Sequence, residues 1–352
     1  MNEELQKIYE LLNIEQIPAN RNYWLIRTES GKYFDDFIKN GYVAIGWDEF
    51  SNKKDFEQLS EKVLKERISS VYPTEKKPGY IYNQINRFMS EIKIDDMILI
   101  PSENSTQIAF GIVTQDFFTR NISKNLNNSN TLQCLFKKCI KVNWKSTMLK
   151  DNFDPYLRML LFTHTTISDI NDYKEYINRI LYSSYVIDNI VHTTFNVTSN
   201  NNINATDLLK FLNLISQESI DVFNSVTGAK LSKDTIDIKL SVQSPGPIEF
   251  IGYSTGAILA VCAVSAFLFG IKLNVHLFGV IEFSVDTPGL LPCILQFIKE
   301  QDSHNEKIKK FDNEIQTSKQ ALKLEPAKNI VNFNIVNKAE IDNIQVDDNK
   351  PN

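Results

Sequence analysis

The four cysteines and four histidines are the residues best suited to bind a metal or act as nucleophiles, and their spacing argues against both roles. Cys134, Cys139, Cys262 and Cys293 include no C-x-x-C pair, and the histidines are single and far apart. Zinc sites and disulfide frameworks use closely or regularly spaced ligands and cysteines. The sequence therefore predicts no metal site, no cofactor and no disulfide framework.

Motifs for catalysis are not found in the sequence either. No acidic residue is followed at a strand end by the Glu-x-Lys pair of a two-metal nuclease, and there is no Walker loop or G-x-S-x-G elbow. His164, within FTHTTIS (162–168), could be offered as a general base, but a lone histidine in a strand-like run is more often structural. We therefore predict that the protein is not an enzyme.

Charge is distributed unevenly along the chain. Residues 1–180 hold 24 Lys and Arg and 24 Asp and Glu, whereas residues 181–352 hold 14 and 19. A protein that coats DNA through its phosphates needs a surplus of Lys and Arg, so any nucleic-acid contact must depend on a small specific site. The start, MNEELQKIYELL, lacks the basic region and apolar core of a secretory signal, which predicts a cytoplasmic N-terminal half.

Short apolar runs broken by Gly, Asn and Asp predict an α+β fold for the first half. Their Val, Ile and aromatic content is typical of strands in a small curved sheet or barrel. The runs are YWLIR (23–27), YVAIGW (42–47), DMILIP (96–101), IAFGIVT (108–114) and KKCIKVNW (137–144). Helical periodicity covers residues 2–13, 55–70, 80–91 and 208–223.

These patterns divide the chain into six segments. They are a leader helix (1–20), a ligand-binding domain (21–180), an α/β connector (181–243), a hydrophobic region (244–300), an amphipathic helix (301–326) and a polar tail (327–352).

Several segments, in their order, resemble the EVE/PUA-like module found in Mrr-type restriction proteins and other bacterial anti-phage proteins. They are NYWLIRTESGKYFDDFIKNGYVAIGWDEF (22–50), NQINRFMSEIKIDDMILIP (83–101), IAFGIVT and VNWKSTML (142–149). The resemblance covers residues 20–180. It implies a PUA-like β-barrel with helices and a pocket for a base, or modified base, swung out of a nucleic acid.

An extruded base needs aromatic faces for stacking and polar groups for its edge. The residues expected to line such a pocket are Trp24, Arg27, Trp47, Asp48, Tyr82, Asn83 and Gln84, with Tyr80 as a further aromatic face. Trp24 could instead be a core residue, and Arg27 could pair with a surface carboxylate. Trp47, at a strand end beside Asp48, is the strongest candidate.

The uncharged stretch FIGYSTGAILAVCAVSAFLFGI (250–271) predicts a transmembrane helix. Its 22 residues would extend about 33 Å as a helix, close to the ~30 Å hydrocarbon core of a bilayer. Gly252, Gly256 and Ala260 repeat every four residues, a spacing that favours helix packing in membranes and predicts a homo-oligomer. The alternative is a wholly buried helix in a large domain.

The C-terminal region carries an amphipathic pattern. Ile308, Phe311, Ile315 and Leu322 are spaced 3, 4 and 7 apart and predict a helix ending at Pro326. Such a helix suits either a coiled coil between subunits or packing on its own domain.

These features together predict a membrane-anchored effector or sensor of anti-phage defence, in the bacterial inner membrane with its N-terminal domain in the cytoplasm. A nucleic-acid or nucleotide ligand would control a membrane oligomer. A more specific form of this hypothesis is that the oligomer is an ion channel or pore. The alternative is a soluble reader of modified DNA that recruits a partner nuclease. A partner enzyme encoded in the same operon would fit either hypothesis.

Overall fold

The computed structural model describes residues 3–120, 133–199, 202–233, 236–240, 246–253, 256, 260–263, 293–294, 296–297, 305–326 and 331–332. They fall into two compact units. Domain I comprises Asn20–Lys174 and Asn329–Asn352, and domain II comprises Met1–Ala19 and Glu175–Lys328. The segments predicted as a leader helix and as a connector are therefore parts of one unit.

Both domains contain strands and helices. The strands are β1 (Glu15–Gln16), β2 (Tyr23–Ile26), β3 (Tyr42–Ile45), β4 (Met97–Pro101), β5 (Gln107–Thr119), β6 (Lys138–Leu149), β7 (Ile167–Asp169), β8 (Ser184–Ile187), β9 (Ile190–Val197), β10 (Ile236–Leu240), β11 (Gly246–Gly252), β12 (Leu324–Pro326) and β13 (Val331–Asn332). The helices are α1 (Glu3–Leu11), α2 (Phe34–Asn40), α3 (Lys53–Gln58), α4 (Glu61–Val71), α5 (Pro78–Asn86), α6 (Pro155–Arg158), α7 (Lys174–Leu181), α8 (Ala205–Asn213), α9 (Ser219–Thr227) and α10 (Glu306–Leu322).

Domain I is built on a curled seven-stranded sheet in the order β13-β6-β5-β4-β2-β7, with β3 also paired to β6. β2 and β4 run parallel, and the other pairs are antiparallel. Register shifts follow Phe110, Val113 and Gln115 where β5 pairs with β6. Such bulges bend a strand and increase its twist, which curls the sheet. The five strands predicted between residues 23 and 144 are confirmed.

A glycine allows the tight packing at the first of these bulges. A Cβ atom on Gly111 would lie 2.3 Å from Cγ1 of Val142 and 2.6 Å from Cε3 of Trp144. Trp144 can therefore lie across β5 because residue 111 has no side chain. The indole of Trp144 also donates a hydrogen bond to the carbonyl oxygen of Phe37 over 2.8 Å, which fastens α2 to the sheet.

Domain II contains a second sheet, in the order β1-β8-β9-β11-β10, with β12 also paired to β9. One face of this sheet is apolar: the rings of Phe195, Phe211 and Phe250 meet edge to face at 5.3–6.2 Å. The predicted amphipathic helix is confirmed as α10, but it ends at Leu322 and the predicted end at Pro326 lies in β12. Its residues Phe311 and Ile315 are buried in the core of domain II, so this apolar face packs on its own domain.

The predicted fold class was wrong in its hydrophobic transmembrane helix. Among the described residues, no helix is both long enough and apolar enough to cross a bilayer. Phe250 and Ile251 lie instead in β11, buried between β9 and β10. Interior strands carry as few charges as membrane spans, so the absence of charge cannot distinguish them. The rest of 250–271 is described only at residues 252, 253, 256 and 260–263.

The packing residues assigned to that helix do not form one continuous helical row. Gly252 is in β11, paired with Val191 and Ile236. Gly256 and Ala260 are helical, and a Cβ on Gly256 would lie 2.5 Å from Cδ2 of Leu231, within the same domain. The predicted location in the inner membrane was inferred from this segment and is therefore also wrong.

Candidate ligand site at Trp47

Trp47 follows β3 in a turn that holds its backbone in an unusual conformation. Its φ angle is +59°, a left-handed value that costs a bulky non-glycine residue about 1–3 kcal/mol. The carbonyl oxygen of Trp47 accepts two hydrogen bonds, from the backbone N–H of Phe50 at 3.0 Å and from Nζ of Lys138 at 2.6 Å. These contacts stabilise the strained turn, and strain of this kind is concentrated at functional sites.

Lys138 supplies the second of these bonds from inside the protein. Its side chain is 0% exposed, and Nζ lies 3.7 Å from Oδ1 of Asp48. Burial lowers the pKa of Lys138 to about 8, against the opposing charges of Asp48 and Glu49. A cation beneath the turn is thus partly compensated by the carboxylate next to Trp47.

The indole of Trp47 is half-buried beside Tyr80. Their ring centroids are 6.5 Å apart and the planes meet at 81°. The hydroxyl of Tyr80 accepts a hydrogen bond from the backbone N–H of Thr166 at 2.9 Å, which ties α5 to the chain just before β7. Trp47 also contacts both apolar clusters of domain I, one on the sheet and one under α4 and α5. Its orientation is therefore set by several elements at once.

Asp48 provides a polar group next to this aromatic surface. Its Oδ1 accepts a hydrogen bond from the backbone N–H of Lys137 at 2.9 Å, and its side chain is 24% exposed. No described residue bonds to its other oxygen, Oδ2. Asp48 can therefore accept a hydrogen bond from a ligand that contacts Trp47.

Three of the other predicted pocket residues have partners inside the fold. The indole N–H of Trp24 donates to the buried carboxylate of Asp96 at 2.9 Å. Arg27 donates through Nη2 to the carbonyl oxygens of Leu161 and Thr163. Gln84 accepts a hydrogen bond from the backbone N–H of Ile167 at 2.5 Å. These side chains are therefore occupied by contacts within domain I.

Tyr82 and Asn83 lie on other faces of α5. The Tyr82 ring stacks on Phe56 with centroids 5.9 Å apart, and Nζ of Lys65 lies 5.7 Å from its centroid. Asn83 is exposed. Of the seven predicted residues, Trp47 and Asp48 therefore form the core of the candidate site, with Tyr80 beside them.

Lys138 is a site residue that was not predicted from the sequence. The signal was the alternation within β6, which places residue 138 on the same side as the buried Ile140, Val142 and Trp144. Two adjacent lysines, at 137 and 138, are typical of a solvent-exposed strand end. The burial of Lys138 was therefore not predicted. Among the described residues, no three His, Cys, Asp or Glu side chains are grouped so that they could hold a metal ion.

A family model described as a domain of unknown function, DUF8426, matches residues 22–171. The match lies within domain I and includes Trp47, Asp48, Tyr80 and Lys138. No curated protein and no solved structure matches the chain. The family description assigns no activity to this domain.

Proposed function

We propose that domain I is a reader that binds a nucleobase, presented by a nucleic acid or a nucleotide, against the indole of Trp47. The restrained conformation of Trp47 is the main support. Its backbone is strained, its carbonyl oxygen is bonded by the buried Lys138, and its ring contacts Tyr80. A rigid aromatic surface loses little conformational entropy when a ring stacks on it.

The neighbouring groups suit a base more than an aliphatic ligand. Stacking of a base on an aromatic side chain contributes about 1–3 kcal/mol. The free Oδ2 of Asp48 could accept a hydrogen bond from an exocyclic amino group, a donor carried by adenine, cytosine and guanine but not by thymine. Asp48 would therefore favour amino-bearing bases.

The charge of the domain is consistent with a pocket that binds one base. Residues 22–171 hold 20 Lys and Arg and 18 Asp and Glu. A nearly neutral domain releases few counterions on binding, so affinity should depend weakly on salt. The proposed role in anti-phage defence rests on the resemblance to the EVE/PUA-like module. In that role the reader would direct a partner enzyme to its target.

The experiment is fluorescence polarisation with labelled single-stranded oligonucleotides of each base, with and without base modification. Trp47→Ala should weaken binding about tenfold or more, as expected for a lost stacking contact, and Trp47→Phe should weaken it less. Phe162→Ala is the matched control because it removes a 70% exposed ring elsewhere in domain I. Circular dichroism establishes that each variant is folded.

Asp48→Asn tests the proposed hydrogen bond to the base independently of stacking. Loss of the carboxylate should reduce the preference for amino-bearing bases over thymine while leaving thymine binding nearly unchanged. Wild-type protein that binds none of the oligonucleotides, or a folded Trp47→Ala variant of unchanged affinity, would show that Trp47 is not the ligand surface.

A further inference from the structure

Domain II contains a buried carboxylate that holds an arginine and a histidine beside each other. Glu249, on β11, is 1% exposed. Its Oε1 accepts hydrogen bonds from the hydroxyl of Tyr185 at 3.0 Å and from Nδ1 of His192 at 2.9 Å. Its Oε2 lies 3.7 Å from Nε of Arg179, on α7. Arg179 and His192 are therefore neighbours, because each contacts one oxygen of the same carboxylate.

The contact with Glu249 determines which nitrogen of His192 carries a proton. A carboxylate oxygen accepts hydrogen bonds, so in this contact Nδ1 is assigned as the donor to Oε1. No described residue bonds to the other ring nitrogen, Nε2, and the side chain is 14% exposed. The imidazole also stacks on Tyr185, with centroids 4.5 Å apart and planes 5° from parallel. His192 is thus fixed in position, with Nε2 available to a ligand.

Arg179 is held in a comparable way. Its guanidinium carbon lies 4.5 Å from the centroid of the Tyr176 ring, and its side chain is 12% exposed. No hydrogen bond from the described residues occupies its terminal nitrogens. The planar guanidinium can therefore offer paired N–H donors while its Nε side faces Glu249.

We propose that Arg179 and His192 form an anion site that binds a phosphate group, either free or as part of a nucleotide or nucleic acid. Guanidinium groups match the geometry of phosphate oxygens, and a protonated imidazole adds a second donor through Nε2. With His192 protonated, Glu249, Arg179 and His192 carry a net charge of +1, which the anion offsets. The nearby Glu175 does not oppose binding strongly because it pairs with Lys239 at 2.8 Å.

The proposal is independent of the Trp47 site and is tested on the full chain. Isothermal titration calorimetry is run with two probes: inorganic phosphate, and an abasic oligodeoxynucleotide that presents backbone phosphates without bases. His192→Asn is the sharpest variant because its amide can still donate to Glu249 but has no group at the position of Nε2. Arg179→Lys keeps the charge that compensates Glu249 and removes the planar pair of donors.

Each variant should weaken binding of the effective probe about tenfold, the effect of losing a charge-assisted hydrogen bond. Lys210→Gln is the matched control, since it removes an exposed positive charge from α8 of the same domain, and its affinity should equal that of wild type. Binding of phosphate alone would identify a free phosphate or nucleotide ligand, and binding of the abasic strand would identify a nucleic acid.

Wild-type protein that binds neither probe would overturn the proposal. So would His192→Asn protein that remains folded and binds as wild type does. Circular dichroism distinguishes loss of the site from loss of the fold, and His192→Asn decides the outcome if Arg179→Lys unfolds.

Discussion

Nζ of Lys138 donates a hydrogen bond to the carbonyl oxygen of Trp47 over 2.6 Å, although the two residues are 91 positions apart in the chain. The bond crosses from β6 to the turn after β3, and it joins a fully buried lysine to the single aromatic residue of positive φ angle among those described. The geometry of the candidate site therefore depends on a cation in the interior of the protein.

The buried Lys138 should make the stability of the protein depend on pH in the alkaline range. Burial lowers its pKa to about 8 from an ordinary value of 10.5, so the folded state releases this proton first. Between these two values the unfolded state binds more protons, and the free energy of unfolding rises with pH. The cost of burying the charge is fully present below pH 8. The rise should total about 3 kcal/mol.

Urea unfolding of wild type and Lys138→Met on the two sides of this window measures the effect. Methionine fills a similar volume without a charge, so the free energy of unfolding of wild type should rise about 3 kcal/mol more than that of the variant, and the other titrating groups cancel in this difference. An equal rise in both proteins would mean that Lys138 does not titrate in this range.

Asp96 should be required for stability through its bond to Trp24. Its buried carboxylate accepts hydrogen bonds from the indole N–H of Trp24 and the backbone N–H groups of Asn22 and Lys93, each at 2.9 Å. Asp96→Asn would point an NH2 group at one of these donors and leave it unpaired, at a cost of about 3 kcal/mol. Chemical denaturation measures the loss, with Asp116→Asn at an exposed site as control. Equal stability of the two variants would contradict this role.

Gly111→Ala should destabilise domain I at the bulge between β5 and β6. The new methyl group would overlap Val142 and Trp144, neither of which can move without disturbing the curled sheet. Overpacking of this kind costs about 2 kcal/mol. Gly79→Ala is the control because its nearest neighbour, 3.3 Å away, is Cε at the flexible end of Lys65. Thermal unfolding should show a lower Tm for Gly111→Ala alone.

Local patterns predicted most of the elements but few of the contacts. The spacing of Ile308, Phe311, Ile315 and Leu322 predicted α10, because the period of a helix is a property of its own backbone. The same reasoning could not show that this face packs in domain II. Trp24 was correctly placed in a strand, yet its partner Asp96 lies 72 residues away, and no local pattern identifies such a pair.

The uncharged stretch at 250–271 shows the same limit. Composition predicted that these residues avoid water, since few charged side chains can be buried without partners. A bilayer and a protein core are both such environments, and the pairing of Phe250 and Ile251 with β9 and β10 was needed to identify the core of domain II.

Residue order thus specified the periodic elements, the near-neutral charge of domain I and Trp47 as an aromatic residue at a strand end. Folding determined that Lys138 is buried under Trp47, that Trp24 and Gln84 hold the backbone in place, and that Arg179 and His192 meet at Glu249. The division has a physical reason. Periodicity follows from backbone geometry within a few residues, whereas burial and the partners of polar groups depend on chain segments that become neighbours only in the folded protein.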